Sequence, residues 1–223
     1  MNDRESYFET RFTPDPARGP VWQRIVAYLQ QHVSLAGTVV DLGAGYGSFI
    51  NAVPVTVRRI AVDANDALPQ HLDAGVEAIV LDLSQPEPLL DQVGSATVDV
   101  VFASNLLEHL ERDTVTRLLS VVHSILTPHG NLVLVQPNFR LAPGRYFDDY
   151  THRTIFTDRS LPDLLRASGF EVTRVESRFL PLTVRSRLAN GYRLIPLYLK
   201  LPFRPFAGQM LVIARPQTPR QDV

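Results

Sequence analysis

Residues 38–47, Thr-Val-Val-Asp-Leu-Gly-Ala-Gly-Tyr-Gly, read as a short apolar strand that runs directly into a glycine-rich turn. Gly43, Gly45 and Gly47 let the backbone leave the strand sharply and approach a ligand with no Cβ in the way. The spacing is G-x-G-x-G, with Asp41 two residues before the first glycine. A dinucleotide fingerprint spaces its glycines G-x-G-x-x-G, so that a pyrophosphate rests on the amino end of the following helix. The spacing here departs from that pattern. A helix directly after the turn is nevertheless expected, its first amides turned toward the ligand.

Outward from this turn, short apolar runs alternate with helical patterns. RRIAVD at 58–63, VEAIVLD at 76–82, TVDVVFAS at 97–104 and NLVLVQP at 131–137 read as strands two to five. EVTRVESRF at 171–179 and QMLVIARP at 209–216 read as strands six and seven. Between them, residues 21–33 carry Val21, Ile25, Tyr28, Leu29 and Val33 on one helical stripe. Residues 106–126 form a longer helical pattern with a break near Asp113, stopped by Pro128 and Gly130, and DRSLPDLLRASGF a further helix with Ser160 as N-cap and Gly169 as stop. Such alternation predicts βαβ units with right-handed crossovers, hence an open, mostly parallel sheet with helices on both faces. We expect one domain over residues 1–223, with an N-terminal arm and helix over 1–36 and an apolar insertion at 180–207.

The bulk composition narrows the function classes. The chain has 223 residues and a formal net charge of −1, too balanced to supply the basic face that nucleic acid needs, so no nucleic-acid partner is expected. It has no cysteine, which removes disulfides, thiolate metal sites and cysteine nucleophiles together. The polar start MNDRESYFETRF is not the apolar core of a secretory leader, and no run reaches bilayer length. A cytoplasmic enzyme is the expectation.

Acidic and polar groups close four successive strands. Asp63, followed by Ala64, ends the second; a carboxylate there can accept hydrogen bonds from both hydroxyls of a ribose. Asp82 and Leu83 end the third, an acid for an exocyclic amine and a leucine for a ring face. Ser104 and Asn105 end the fourth. All four meet the crevice at the carboxyl edge where α/β sheets bind ligands.

The run D41-L-G-A-G-Y-G47, Asp63, Asp82-Leu83 and V98-D-V-V-F-A-S-N-L-L-E-H109 together resemble the class I S-adenosylmethionine (SAM)-dependent methyltransferases, with motifs over roughly residues 36–137. The resemblance implies a Rossmann-like seven-stranded sheet of order 3-2-1-4-5-7-6, its last strand antiparallel. It implies SAM as cofactor: the glycine loop (Gly43, Ala44, Gly45, Gly47) at the amino-acid end with Asp41 beside its cationic amine, Asp63 on the ribose and Asp82 on the adenine. The segment Y-x-D-x-T-H-R-x-x-F-T-D-R-S-L is similar, more loosely, to methyltransferases of bacterial glycan assembly, which implies a sugar hydroxyl as acceptor and a role in polysaccharide biosynthesis.

Methyl transfer to a hydroxyl calls for alignment and a base. His109, after the fourth strand, is one candidate, with a packed surface histidine as the plainer alternative. His152 is the other, within a segment where Tyr146, Tyr150 and Arg153 would contact the substrate, Arg153 pairing with an anionic group. A structural loop covering the sheet edge is the alternative for that segment. Quinone-type O-methyltransferases resemble Leu107-Glu108-His109 and bind metal through Glu-x-x-Glu-His. Asn105 replaces the first glutamate here, an amide being a poorer ligand than a carboxylate, so no metal is expected. A quinone-like or aromatic small-molecule acceptor and a non-catalytic SAM-binding scaffold are the rival readings. Residues 180–207 hold Leu194, Ile195, Leu197, Tyr198, Leu199, Leu201, Phe203 and Phe206 among five cations. Packing back on the sheet edge or a homodimer interface would cover so much apolar surface, and the functional alternative is a surface that admits a lipid-linked or otherwise amphipathic anionic acceptor at a peripheral membrane contact.

Overall fold

The computed structural model describes residues 18–182 and 191–217. The first part of the N-terminal arm and the middle of the 180–207 insertion lie outside those residues.

Seven strands form one sheet: β1 (Thr38–Leu42), β2 (Arg58–Asp63), β3 (Val76–Val80), β4 (Val98–Ser104), β5 (Leu126–Pro137), β6 (Phe170–Glu176) and β7 (Gln209–Pro216). Their order is β3-β2-β1-β4-β5-β7-β6. The pairs from β3 through to β5 are parallel, and β7 inserts antiparallel between β5 and β6. The central β1 is buried along its whole length, as expected of an apolar run covered on both faces. Its neighbours β2 and β4 reverse the direction of the strand order, which opens the ligand crevice at their carboxyl ends.

The helices are α1 (Arg18–Leu29), α2 (Pro88–Val93), α3 (Arg112–Ile125), the single turn α4 (Pro143–Tyr146), α5 (Ser160–Ala167) and α6 (Ile195–Lys200). Alternate residues of each strand feed two cores. Val40, Leu42, Val62 and Val101 pack beneath α2, α3 and α5, while Val39, Ala61, Val100 and Phe102 pack beneath α1 and α6. The predicted α1 stripe holds at Val21, Ile25, Leu29 and Val33, all buried, with Tyr28 partly so. The helix itself ends at Leu29, and residues beyond it turn.

Three elements differ from the sequence expectation, each for a visible reason. No α-helix follows the glycine loop: Gly47 lies in the left-handed region at φ +65°, a 3₁₀ turn occupies Ile50–Ala52, and Val53 is extended ahead of Pro54. The long helix at 106–126 is split into a 3₁₀ turn at Leu107–His109 and α3. The Glu108 carbonyl accepts from the amides of Arg153 and Thr154 at 2.7 and 3.1 Å, and Thr154 Oγ donates to the Leu110 carbonyl at 2.7 Å. Those carbonyls therefore serve the 146–154 segment instead of a continuous helical ladder. Ser160 is the first residue of α5 and not its cap; its amide donates to Thr157 Oγ at 3.0 Å.

Residues Leu194, Leu197, Phe203 and Phe206 are exposed, Phe206 to 90% and with a φ of +57°. Ile195 and Leu199 are buried beneath them. The isolated bridge Pro181–Ala207 ties this strip to Leu180 and Leu182, which reach the cleft described next.

Candidate active site

A cleft of about 510 Å³ opens at the carboxyl edge of β1 and β4. One wall is the glycine loop, where Gly43, Gly45 and Gly47 have φ of +69°, +57° and +65°. These values favour glycine, and a Cβ at Gly47 would lie 2.6 Å from the Leu72 side chain. The back of the loop rests on an aromatic block. Phe49 stacks on Phe102 with centroids 3.7 Å apart, and Trp22 of α1 meets both edge-on. Trp22 was not singled out in the sequence because its contact with Phe102 joins segments remote from each other along the chain.

Two buried acids support the loop. The Asp63 carboxylate accepts from the Gly45 amide at 2.8 Å and from the Asn65 amide at 3.0 Å, so β2 clamps the turn that follows β1. Asp41 lines the cleft and is fully buried; desolvation, reinforced by the nearby Asp63, holds its carboxyl well above the ordinary range. A buried acid held this way is suited to a cationic ligand group, which would stabilise its ionised form.

The remaining predicted residues divide. Asp41, Gly43, Ala44, Gly45, Ser104, Asn105, His109, Tyr146 and His152 line one continuous cleft. Asn105 sits in the left-handed region at φ +51°, and its side-chain oxygen accepts from Gln209 of β7 at 2.8 Å. Gly47, Asp63, Ala64, Asp82 and Leu83 are not part of the cleft lining. Asp82 accepts from the Ser84 amide at 2.9 Å, and Leu83 is buried in the core. Tyr150 is exposed and Arg153 pairs with Glu111 at 2.8 Å, so both stand outside the lining in which the sequence expectation had placed them.

At the far end of the cleft the 3₁₀ turn and the 146–154 segment bring polar groups together. The His109 and His152 rings lie 4.9 Å apart, and Tyr146 meets His152 at 4.6 Å. Tyr146 is buried and its hydroxyl donates to the Thr154 carbonyl at 2.6 Å. His109 Nδ1 lies 2.8 Å from Thr151 Oγ, which donates to Asp149 at 2.6 Å. Glu108 is buried, with neither carboxyl oxygen hydrogen-bonded among the described residues, and burial pushes it up to about 8. Burial, reinforced by His152, pulls His109 down to about 4 against the opposing attraction of Asp149. At neutral pH the chamber therefore holds a neutral carboxylic acid beside a neutral imidazole. Glu108, Asp149 and Thr151 were not picked as site residues from the sequence: the contacts that define them cross from the 107–110 turn to the 146–154 segment. Glu108, His109 and His152 also lie close enough together to hold a metal ion.

A family model described as a methyltransferase domain matches residues 16–175. The chain belongs to that family. Solved structures agree on the fold. A SAM-dependent methyltransferase from Archaeoglobus fulgidus is 20% identical at a TM-score of 0.65, covering 96% of this chain and 100% of its own. The Burkholderia thailandensis 1,6-didemethyltoxoflavin-N1-methyltransferase, solved with bound 1,6-didemethyltoxoflavin and S-adenosylhomocysteine, is 21% identical at a TM-score of 0.62, covering 97% of this chain and 86% of its own. The mitomycin 7-O-methyltransferase MmcR is 19% identical at 0.61, covering 90% of this chain and 54% of its own. No curated protein matches the chain by sequence. The chain is a methyltransferase.

Proposed function

We propose that the enzyme transfers the methyl group of SAM to a hydroxyl of a small, ring-containing acceptor, with a sugar-type acceptor as the leading class. The observation that carries this reading is the continuity of one cleft from the glycine loop and Asp41 to the chamber of Glu108, His109, Tyr146 and His152. SAM, when bound, supplies an electrophilic methyl on a cationic sulfur. Asp41 and the loop at Gly43, Ala44, Gly45 and Gly47 take its amino-acid end. Asp63, bonded to the lining residue Gly45, and Ala64 would take the ribose, Asp82 and Leu83 the adenine, and Ser104 and Asn105 in the lining would contact the cofactor as well. The acids and the clamped loop suit this ligand: it has no phosphate to neutralise, and its amine matches a buried carboxyl.

The carboxyl groups of Asp148 and Asp149 in the cleft lining suit a sugar ring, because carboxylates accept hydrogen bonds from its hydroxyls. The exposed strip from Leu194 to Phe206, tied to the cleft by Leu180 and Leu182, offers a seat for an apolar tail on that acceptor, for a bilayer surface or for a second copy of the chain. No helix among the described residues is long and apolar enough to cross a membrane.

The test is release of S-adenosylhomocysteine from SAM over a panel of glycosides, nucleotide sugars, phenols and catechols. Turnover confined to glycosides or nucleotide sugars supports the sugar reading. Turnover confined to phenols overturns that part. Bound SAM with no turnover of any hydroxyl compound overturns the proposal.

A further inference from the structure

The strip from Leu194 to Phe206 differs from the rest of the chain in charge as well as in exposure. Residues 177–208 hold six of the chain's 22 cations and none of its 23 acids, on a chain whose net charge is −1. Leu194, Leu197, Leu201, Phe203 and Phe206 are exposed along it. Arg193, just ahead of α6, and Lys200, its last residue, are exposed with them. The Arg178 guanidinium lies over the Phe203 ring, 4.6 Å from its centroid. This outward placement is built into the fold. Ile195 and Leu199 bury the opposite side of α6 in the core that it shares with α1. Arg204 is buried and pairs with Glu176. It also donates to the Leu199 carbonyl at 2.6 Å, the Arg178 carbonyl at 3.0 Å and the Tyr28 hydroxyl at 3.0 Å. The Tyr198 hydroxyl donates to the Pro205 carbonyl at 3.1 Å. These bonds fasten α6 and the loop after it to β6 and α1, so the apolar side chains are held in water at a fixed place. Such a cluster marks a contact surface.

Charge selects the occupant. A two-fold contact between copies would set the strip against itself. With no acid in residues 177–208, its cations would then face cations, which disfavours that pairing. An anionic bilayer complements both features: the acyl boundary takes leucine and phenylalanine side chains, and lipid phosphates take arginine and lysine. We propose that residues 194–206 form a peripheral docking surface for an anionic membrane. The inference concerns where the enzyme sits and holds whichever acceptor it methylates. The surface adjoins the cleft, because Leu180 and Leu182 line it and the Pro181–Ala207 bridge joins them to the strip. Docking thus brings that part of the cleft close to the headgroup layer.

The experiment is sedimentation of the full-length protein with vesicles of phosphatidylcholine alone or of equal parts phosphatidylcholine and phosphatidylglycerol, at low and high salt. Wild type is expected to pellet with the mixed vesicles only, and less of it at high salt. Arg193→Gln/Lys200→Gln should bind the mixed vesicles about 25-fold more weakly, each cation near an anionic surface contributing about fivefold. Leu197→Ser/Phe203→Ser should bind them at least about tenfold more weakly. Both variants should keep wild-type Tm and SAM affinity, since all four side chains are exposed. Wild type that pellets with neither vesicle, or equally with both, overturns the proposal, and that result needs no variant. Either variant binding as wild type does also overturns it. A wild-type dimer in light scattering that Leu197→Ser/Phe203→Ser dissolves, with no vesicle binding, overturns it in favour of a second copy. The vesicle readout does not depend on turnover, so failure there leaves methyl transfer standing. Failure to bind SAM overturns the methyl-transfer reading and not this one.

Discussion

Replacing Asp63 with alanine should damage both the fold and cofactor binding. Its carboxylate accepts two backbone hydrogen bonds, from Gly45 at 2.8 Å and Asn65 at 3.0 Å, and the residue is buried. Leaving each amide unsatisfied costs about 1–3 kcal/mol, so the variant should lose about 2–6 kcal/mol of stability. In a domain of this size that lowers Tm by about 4–24 °C. Releasing the Gly45 amide frees the turn at a glycine with φ +57°, and the SAM site loses its pre-set shape. On the proposed ribose role of Asp63, its removal costs a further 1.5–3 kcal/mol or so, a ten- to hundredfold loss of affinity. Asp63→Asn keeps one acceptor oxygen and should fall between alanine and wild type. Thermal denaturation beside calorimetric titration with SAM reads both effects. A variant with wild-type Tm would refute the clamp, and a destabilised variant with wild-type SAM affinity would refute the role assigned to the loop.

Other consequences follow from the same geometry. Gly45→Val forces a β-branched residue into the left-handed region and should abolish SAM binding, while circular dichroism reports whether the sheet survives. Burial, reinforced by Asp63, disfavours the ionised Asp41 carboxyl, and a cationic amine would favour it, so SAM affinity should fall as pH is lowered through the range where Asp41 titrates. Calorimetric titration across pH checks this in wild type and Asp41→Asn; the same pH dependence in both contradicts it. Glu176 accepts from Tyr28 at 2.7 Å and pairs with Arg174 and Arg204. Burial raises its pKa, but these partners together hold it below the ordinary value. Its contribution is therefore present above the unfolded-state pKa and fades as pH falls through the lower folded one. Glu176→Gln should be less stable than wild type at neutral pH, and the difference should shrink in acid when followed by denaturant titration.

The strands themselves were legible because several end in a signal that survives without tertiary context, while their order followed from the family resemblance. β1 ends at Leu42 before three glycines, β2 at Asp63, and β4 at Ser104 ahead of Asn105. Apolar periodicity located α1 and the body of α3 for the same reason. What could not be read depended on partners remote in sequence. The break before α3 comes from Thr154 and Arg153 taking its carbonyls, and the absence of a helix after Gly47 from a turn clamped to β2. His109 and His152 looked like alternatives in the sequence, whereas the fold sets their rings 4.9 Å apart and ties His109 to Thr151. Tyr150 and Arg153 looked like substrate contacts because aromatic and cationic residues cluster there, yet their side chains face outward from the same stitched segment.

Calorimetric titration of the purified protein with SAM, S-adenosylhomocysteine, NAD and NADP tests the central claim most directly. Saturable binding of SAM and S-adenosylhomocysteine is expected, weakened about ten- to hundredfold by Asp63→Ala, with no binding of either dinucleotide. Binding of NAD or NADP without binding of SAM would contradict it.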